Sequence, residues 1–243
     1  MTIENNTLLV GCGHIGLKHL DCLEVFKNKF SLSAIVDPNP SIKNLLSEKS
    51  IKNLPLIYSA IDDVDISEFE NVILCSPSNL HFKQIEYLFG KVKNIICEKP
   101  LFIEEENSSA MIKMIESEAS KIIPVLQVRH SESRNMLERA HKDFGNPKEI
   151  KMTMMWNRDQ NYFKSNPWRG KKHGDGGILL NQSIHYFDFL VNVFGNINNM
   201  ENHGSNLKNN SDLCDLIFGK CRFDKIECEY MLSVSSPINN PVS

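Results

Sequence analysis

The most constraining stretch of this chain is Gly11-Cys12-Gly13-His14-Ile15-Gly16. It lies between the apolar run Leu8-Leu9-Val10 and a helix-like segment, residues 15–26, with apolar positions Ile15, Leu20, Leu23 and Phe26. Three glycines at this spacing, entered from a strand and left through a helix, suit few folds. The first permits a tight turn, the second lets a pyrophosphate approach the backbone, and the third lets helix and strand pack closely. Cys12, His14 and Ile15 belong to the same loop and line it. The helix N-terminus offers unsatisfied N–H groups and a positive dipole end to phosphates. Asp37 closes the next apolar run, residues 32–36, about twenty residues past the last glycine, where a dinucleotide fold keeps its ribose-binding acid. A carboxylate there bonds a ribose 2′-hydroxyl and repels a 2′-phosphate, so NAD is expected over NADP.

The rhythm that follows supports that beginning. Val72-Ile73-Leu74-Cys75 and Asn94-Ile95-Ile96-Cys97 are short and apolar throughout, as in strands buried on both faces of a parallel sheet. Helices are expected over residues 79–89 and 104–120, and another strand over 122–128. Strand and helix in alternation predict a doubly wound α/β domain. Past residue 127 the pattern changes. A helix is expected at 132–144, ended by Gly145-Asn146-Pro147, then a strand at 148–156 and a helix at 176–194. Residues 212–218 and 225–235 alternate like half-exposed antiparallel strands, while the Asn-rich residues 196–210 read as turn or loop. The expected division is a Rossmann domain at 1–127 and an α+β domain with a mostly antiparallel sheet at 128–243.

Bulk properties exclude some functions. With 27 basic and 30 acidic residues, the net charge is -3 and no basic run stands out, so no nucleic-acid partner is expected. No apolar stretch approaches the roughly 18–20 residues that span a membrane. The polar start, residues 1–7, argues against a signal peptide, and a cytoplasmic protein is expected. The seven cysteines are scattered. Cys214, Cys221 and Cys228 are evenly spaced but lack paired C-x-x-C spacing, so buried reduced thiols are expected and no metal site.

Two further strand ends carry polar residues: Cys75-Ser76-Pro77-Ser78-Asn79-Leu80-His81 and Cys97-Glu98-Lys99-Pro100. Ligands of open α/β sheets sit at the carboxyl ends of strands, which puts Lys99 where a ligand binds. Later come Trp168-Arg169-Gly170 and Gly176-Gly177-Ile178-Leu179-Leu180-Asn181-Gln182-Ser183-Ile184-His185-Tyr186-Phe187-Asp188. In this order the motifs resemble the Gfo/Idh/MocA oxidoreductase family, over residues 8–194.

The resemblance implies an N-terminal NAD-binding domain and a C-terminal domain whose open sheet often forms subunit contacts. A homo-oligomer is therefore expected. It implies that Ser76, Pro77, Asn79, His81, Glu98, Lys99 and Pro100 join the glycine loop and Asp37 around the cofactor. It places Lys99 beside the reacting hydroxyl and His185 beside the substrate, as the catalytic pair. His185 would take the hydroxyl proton and Lys99 would stabilise the developing alkoxide. Many family members carry aspartate four residues before this histidine. Here it is Asn181, which points away from the inositol dehydrogenase type. Asn181-Gln182, with Gln127 and Arg129 earlier, is similar to members acting on nucleotide-linked sugars of the UDP-N-acetylglucosamine and uronic acid kind in surface-polysaccharide pathways. Gln127, Arg129, Trp168, Arg169, Asn181, Gln182 and His185 are thus the expected substrate residues. Asn181 is expected one helical turn before His185 on the same face. Family members are usually much longer, so the second domain is expected to be shortened. The alternative function is an NAD- or sugar-binding relative with little or no turnover.

Overall fold

The computed structural model describes residues 5–48, 55–207 and 213–236. The chain divides into two compact units after Val125. Strand expectations at residue 212 and the tail from 237 onward lie outside the described residues.

The first unit holds six strands: β1 (Asn6–Val10), β2 (Ser31–Val36), β3 (Leu56–Tyr58), β4 (Asn71–Leu74), β5 (Asn94–Glu98) and β6 (Lys121–Val125). They form one parallel sheet in the order β3-β2-β1-β4-β5-β6. This is the doubly wound order, and its direction reverses between β1 and β4. Side chains alternate across the sheet. Leu8 and Val10 of β1 join Val72, Leu74 and Ile95 on one face. Leu9 joins Ile35 and Ile73 on the other. Helices α3 (Ser78–Leu88) and α4 (Ser108–Ser117) cover the first face through Ile85, Leu88 and Met111. Helices α1 (His14–Val25) and α2 (Ile42–Glu48) cover the second through Leu20, Leu23, Ile42 and Leu46.

Several boundaries differ from expectation. The buried stripe of α1 is Gly16, Leu20 and Leu23, at helical spacing, so Ile15 and Phe26 fall off it and are exposed. The helix expected at 104–120 shrinks to α4. A 3-10 turn (Glu105–Asn107) precedes it, and Glu118 ends it in the left-handed region at φ 55°. β6 stops at Val125, and Gln127–His130 form a 3-10 turn rather than the end of a strand.

The second unit contains α5 (Glu132–Phe144), β7 (Glu149–Met155), α6 (Gln160–Lys164), α7 (Ile184–Phe194), β8 (Ile197–Ser205), β9 (Leu216–Phe223) and β10 (Ile226–Ser233). Its sheet runs β7-β10-β9-β8. β9 pairs antiparallel with β8 and β10, while β7 pairs parallel with β10. Phe187, Leu190 and Phe194 of α7 pack on Cys221, Phe223, Cys228, Tyr230 and Leu232 of the sheet. Cys221 and Cys228 face each other across the β9–β10 hairpin as free thiols. Burial raises both thiol pKa values, that of Cys228 to about 12.

β8 replaces the expected loop over Ile197–Ser205, and residues 208–210 of that expectation lie outside the described residues. It is an edge strand, so its polar side chains remain in water and give no alternation to read. Its register shifts between Asn198 and Glu201, with Asn199 at φ 51°. Among the described residues, no helix is long and apolar enough to cross a membrane.

Candidate functional site

In the first unit the turn between β1 and α1 meets the loop after β4. Gly11 adopts φ 86°, and a Cβ there would lie 2.7 Å from the backbone of Cys75 and Ser76. A Cβ on Gly16 would lie 2.1 Å from the Gly11 carbonyl oxygen. These two glycines are demanded by the chain itself. Gly13 is not: nothing among the described residues lies within 4 Å of a Cβ built there. It precedes the first turn of α1, which carries no side-chain cap and no acidic residue. Uncapped N–H groups facing open space fit a phosphate-bearing ligand. His14 and Ile15, the first residues of α1, are exposed beside it.

Asp37 does more than wait for a ribose. Its Oδ2 accepts from the Cys12 N–H at 2.6 Å and its Oδ1 from the Asn39 N–H at 2.8 Å. The carboxylate therefore ties the glycine loop to the end of β2. Each oxygen keeps a second lone pair for a ligand hydroxyl.

At the ends of β4 and β5, Ser76 donates to Gln84, and Glu98 pairs with His19 of α1 at 2.9 Å. Pro77 leads into α3, and Asn79 is exposed in its first turn. Lys99 is half-buried at the carboxyl end of β5, and its peptide bond to Pro100 is cis. His81 is only 1% exposed. Its ring nitrogens face the carbonyl oxygens of Pro100, at 2.7 Å, and Ser76, at 2.9 Å. It braces the loops after β4 and β5 from behind, with both ring nitrogens on backbone carbonyls. Burial pushes its pKa down, against the pull of those two carbonyls.

The second unit carries His185 as the second residue of α7, 9% exposed. The expected continuous helix over 176–194 is broken. Ile178–Gln182 form a wide π-helical turn closed by the Ser183 N–H on the Ile178 carbonyl, and α7 starts afresh at Ile184. Asn181 therefore does not precede His185 on one α-helical face, and its amide donates to Asp175 at 3.2 Å. Asp175, 1% exposed, also accepts from the N–H groups of Gly170 and Gly177. One buried carboxylate thus joins the Trp168-Arg169-Gly170 loop to the turn before α7, a role not foreseen in the sequence. Its only signal there is an acid enclosed by glycines.

Arg129 is corrected too. Its fork is committed to Asp188 of α7, at 2.8 and 2.6 Å, which holds its pKa up. It anchors the 3-10 turn that holds the exposed Gln127 rather than presenting an open fork to a substrate.

Arg169 has different company. Its guanidinium carbon lies 4.2 Å from the Tyr162 ring centre and 5.2 Å from that of Trp168. Arg158 lies 4.6 Å from the same tyrosine and 4.8 Å from Trp156. The two guanidinium carbons are therefore within about 9 Å of each other. At that distance they repel by roughly 2 kcal/mol at an effective dielectric of about 20. Each cation–π contact returns about 0.5–1 kcal/mol, enough to offset this. Gln182, 4% exposed, reaches the Tyr162 hydroxyl at 3.4 Å. Among the expected substrate residues, the structure thus gathers Trp168, Arg169 and Gln182 around Tyr162.

A doubly wound sheet with an open glycine cradle, followed by a helix-covered mixed sheet, defines a two-domain dinucleotide-dependent class of protein. The family model described as "Oxidoreductase family, NAD-binding Rossmann fold" matches residues 5–125, and the "GFO/IDH/MocA C-terminal domain" matches residues 134–241. The chain belongs to the Gfo/Idh/MocA oxidoreductase family, and its first unit is that family's NAD-binding domain. It is 26% identical over 190 residues to inositol 2-dehydrogenase of Rhizobium meliloti, covering 77% of this chain and 54% of that protein. It is 26% identical over 194 residues to glucose-6-phosphate 3-dehydrogenase of Bacillus subtilis, covering 76% and 53%. The chain spans about half the length of these curated relatives. The fold is shared with the WlbA dehydrogenase of Chromobacterium violaceum, solved with NADH and UDP-GlcNAcA: TM-score 0.88, 24% identity, 99% of this chain and 70% of that one. The Bordetella pertussis WlbA dehydrogenase gives TM-score 0.88, 22% identity, and coverage of 98% and 74%.

Proposed function

We propose that this chain acts as an NAD-dependent oxidoreductase on a secondary hydroxyl of a sugar, one linked to a nucleotide. The observation that carries this is the cradle at Gly13: open space before an uncapped helix N-terminus, with the Asp37 carboxylate at the end of the neighbouring strand. Asp37 favours NAD by repelling a 2′-phosphate. Bound there, NAD supplies the hydride acceptor. His185 then accepts the hydroxyl proton, a task that suits imidazole because it titrates near neutral pH. Lys99 serves as a hydrogen-bond donor that steadies growing negative charge on a substrate oxygen. Fold neighbours crystallised with UDP-GlcNAcA support the nucleotide-sugar assignment. With such a substrate, the chain would serve surface-polysaccharide synthesis in the cytoplasm.

The test is the appearance of reduced nicotinamide absorbance with UDP-sugars, run beside calorimetric titration with NAD. His185→Ala and Lys99→Ala should each lose about 10²–10⁴-fold in kcat while NAD still binds. Wild-type turnover by His185→Ala would remove it from the reaction. NAD binding without turnover of any sugar would replace the enzyme assignment by a binding protein.

A further inference from the structure

Six arginines occur in the chain, at 129, 134, 139, 158, 169 and 222. Four pair with carboxylates: Arg129 with Asp188, Arg134 with Glu138, Arg139 with Glu132, and Arg222 with Glu227. Among the described residues, Arg158 and Arg169 pair with none. Instead both stack on Tyr162, and the Nε of each is buried without a hydrogen-bond partner among the described residues. The nearest acid in sequence, Asp159, is used elsewhere: its Oδ1 caps α6 on the Tyr162 N–H, and its Oδ2 accepts from Asn161.

The framework around them is fixed. The Arg158 N–H bonds the Val234 carbonyl at 2.7 Å, beside the end of β10. The loop after Arg169 is held by buried Asp175. Gln182 adds an independent observation. One end of its buried amide lies on the Tyr162 hydroxyl, and the other, Oε1, has no partner among the described residues. Two like charges kept together with no carboxylate partner among the described residues, next to a buried acceptor those residues leave unused, describe a place built for a ligand.

We propose that Arg158, Tyr162 and Arg169 form an oxyanion-binding subsite in the second unit, with Gln182 accepting from a hydroxyl of the same ligand. Guanidinium forks match the paired oxygens of a phosphate or a carboxylate. The Trp156 and Trp168 rings beside them suit the apolar face of a sugar. The ligand class is a sugar carrying a phosphate or carboxylate. Its identification with the substrate rests on the oxidoreductase proposal above, but its binding does not.

Trp156 and Trp168 are the only two tryptophans, and each carries one of these arginines on its ring. Intrinsic fluorescence is therefore a local reporter. The full chain is titrated with UDP, inorganic pyrophosphate, D-glucuronate, and D-glucose as the uncharged control. At least one oxyanion should give a saturable change that weakens with added salt, and glucose should give none. The phosphate and carboxylate arms tell the two sources apart. Arg158→Gln and Arg169→Gln should each weaken binding about tenfold or more, whereas Arg134→Gln should not. Thermal unfolding checks that the variants fold. If they do not, the wild-type titrations alone decide. No saturable response to any oxyanion, or unchanged affinity in both folded variants, overturns the subsite. Binding without turnover would sink the oxidoreductase proposal and leave the subsite standing. Turnover with KM unchanged in both variants would do the reverse.

Discussion

Gly11 and Gly13 belong to one motif but answer to different partners. Gly11 is held by the chain: a Cβ would strike the Cys75–Ser76 backbone, and its φ of 86° disfavours other residues. Gly11→Ala should therefore cost stability, on the order of 1–3 kcal/mol or more, read as a lower unfolding midpoint. Gly13→Ala should leave that midpoint within about 0.5 kcal/mol, since nothing is struck, yet weaken NAD in a calorimetric titration. Equal losses of stability in both would contradict this division. His81 gives a prediction in pH. Burial lowers its pKa in the folded chain, so the unfolded chain takes up the proton first. Its contribution is complete above the unfolded value of about 6.5 and is lost as pH falls from there through the folded value. Denaturant unfolding across this range should show stability falling toward acid, with a shallower slope in His81→Gln.

The elements carry their own lesson in the turn before α7. The spacing of glycines and apolar residues predicts one helix from 176 to 194, but a π-helical turn interrupts it and buried Asp175 pins the result. An i→i+5 turn leaves no distinct apolar period, and the acceptor of three N–H groups is visible only once the loop has closed. Asp175→Ala should lose roughly 2–4 kcal/mol in denaturant unfolding, because three donors are left without their acceptor. If the subsite proposal holds, it should also weaken oxyanion binding at Arg169. A change below about 0.5 kcal/mol would mean that water replaces the carboxylate without loss.

For the whole molecule, the outer face of the second sheet bears on assembly. Phe218 is 48% exposed and pairs across the strands with Met231, itself exposed, while His203 stacks on the Phe218 ring. Ion pairs Lys220–Glu229 and Arg222–Glu227 lie on the same two strands. An apolar patch rimmed by charge suits a second copy of the chain, and the homo-oligomer expected from the family resemblance can be tested there. Phe218→Glu should lower the native mass in sedimentation while leaving the secondary structure intact. An unchanged mass would exclude this face.

Local periodicity and turn chemistry determined most of the first unit. The apolar runs at β1, β2, β4 and β5, the glycine loop and Asp37 are each legible because a parallel strand buried on both faces must be apolar throughout, and a phosphate turn needs glycine. Lys99 and His185 stand out as candidates only through the order of motifs that surrounds them. Tertiary structure alone decided β3, the polar edge strand β8, and the parallel pairing of β7 with β10, for edges and short strands carry no period. It also decided which charges find partners. Arg129 and Arg169 look alike in sequence, yet Asp188 takes the fork of one, while the other shares an aromatic ring with Arg158 and meets no carboxylate among the described residues. A side chain's partners depend on residues far along the chain, and only folding brings those together.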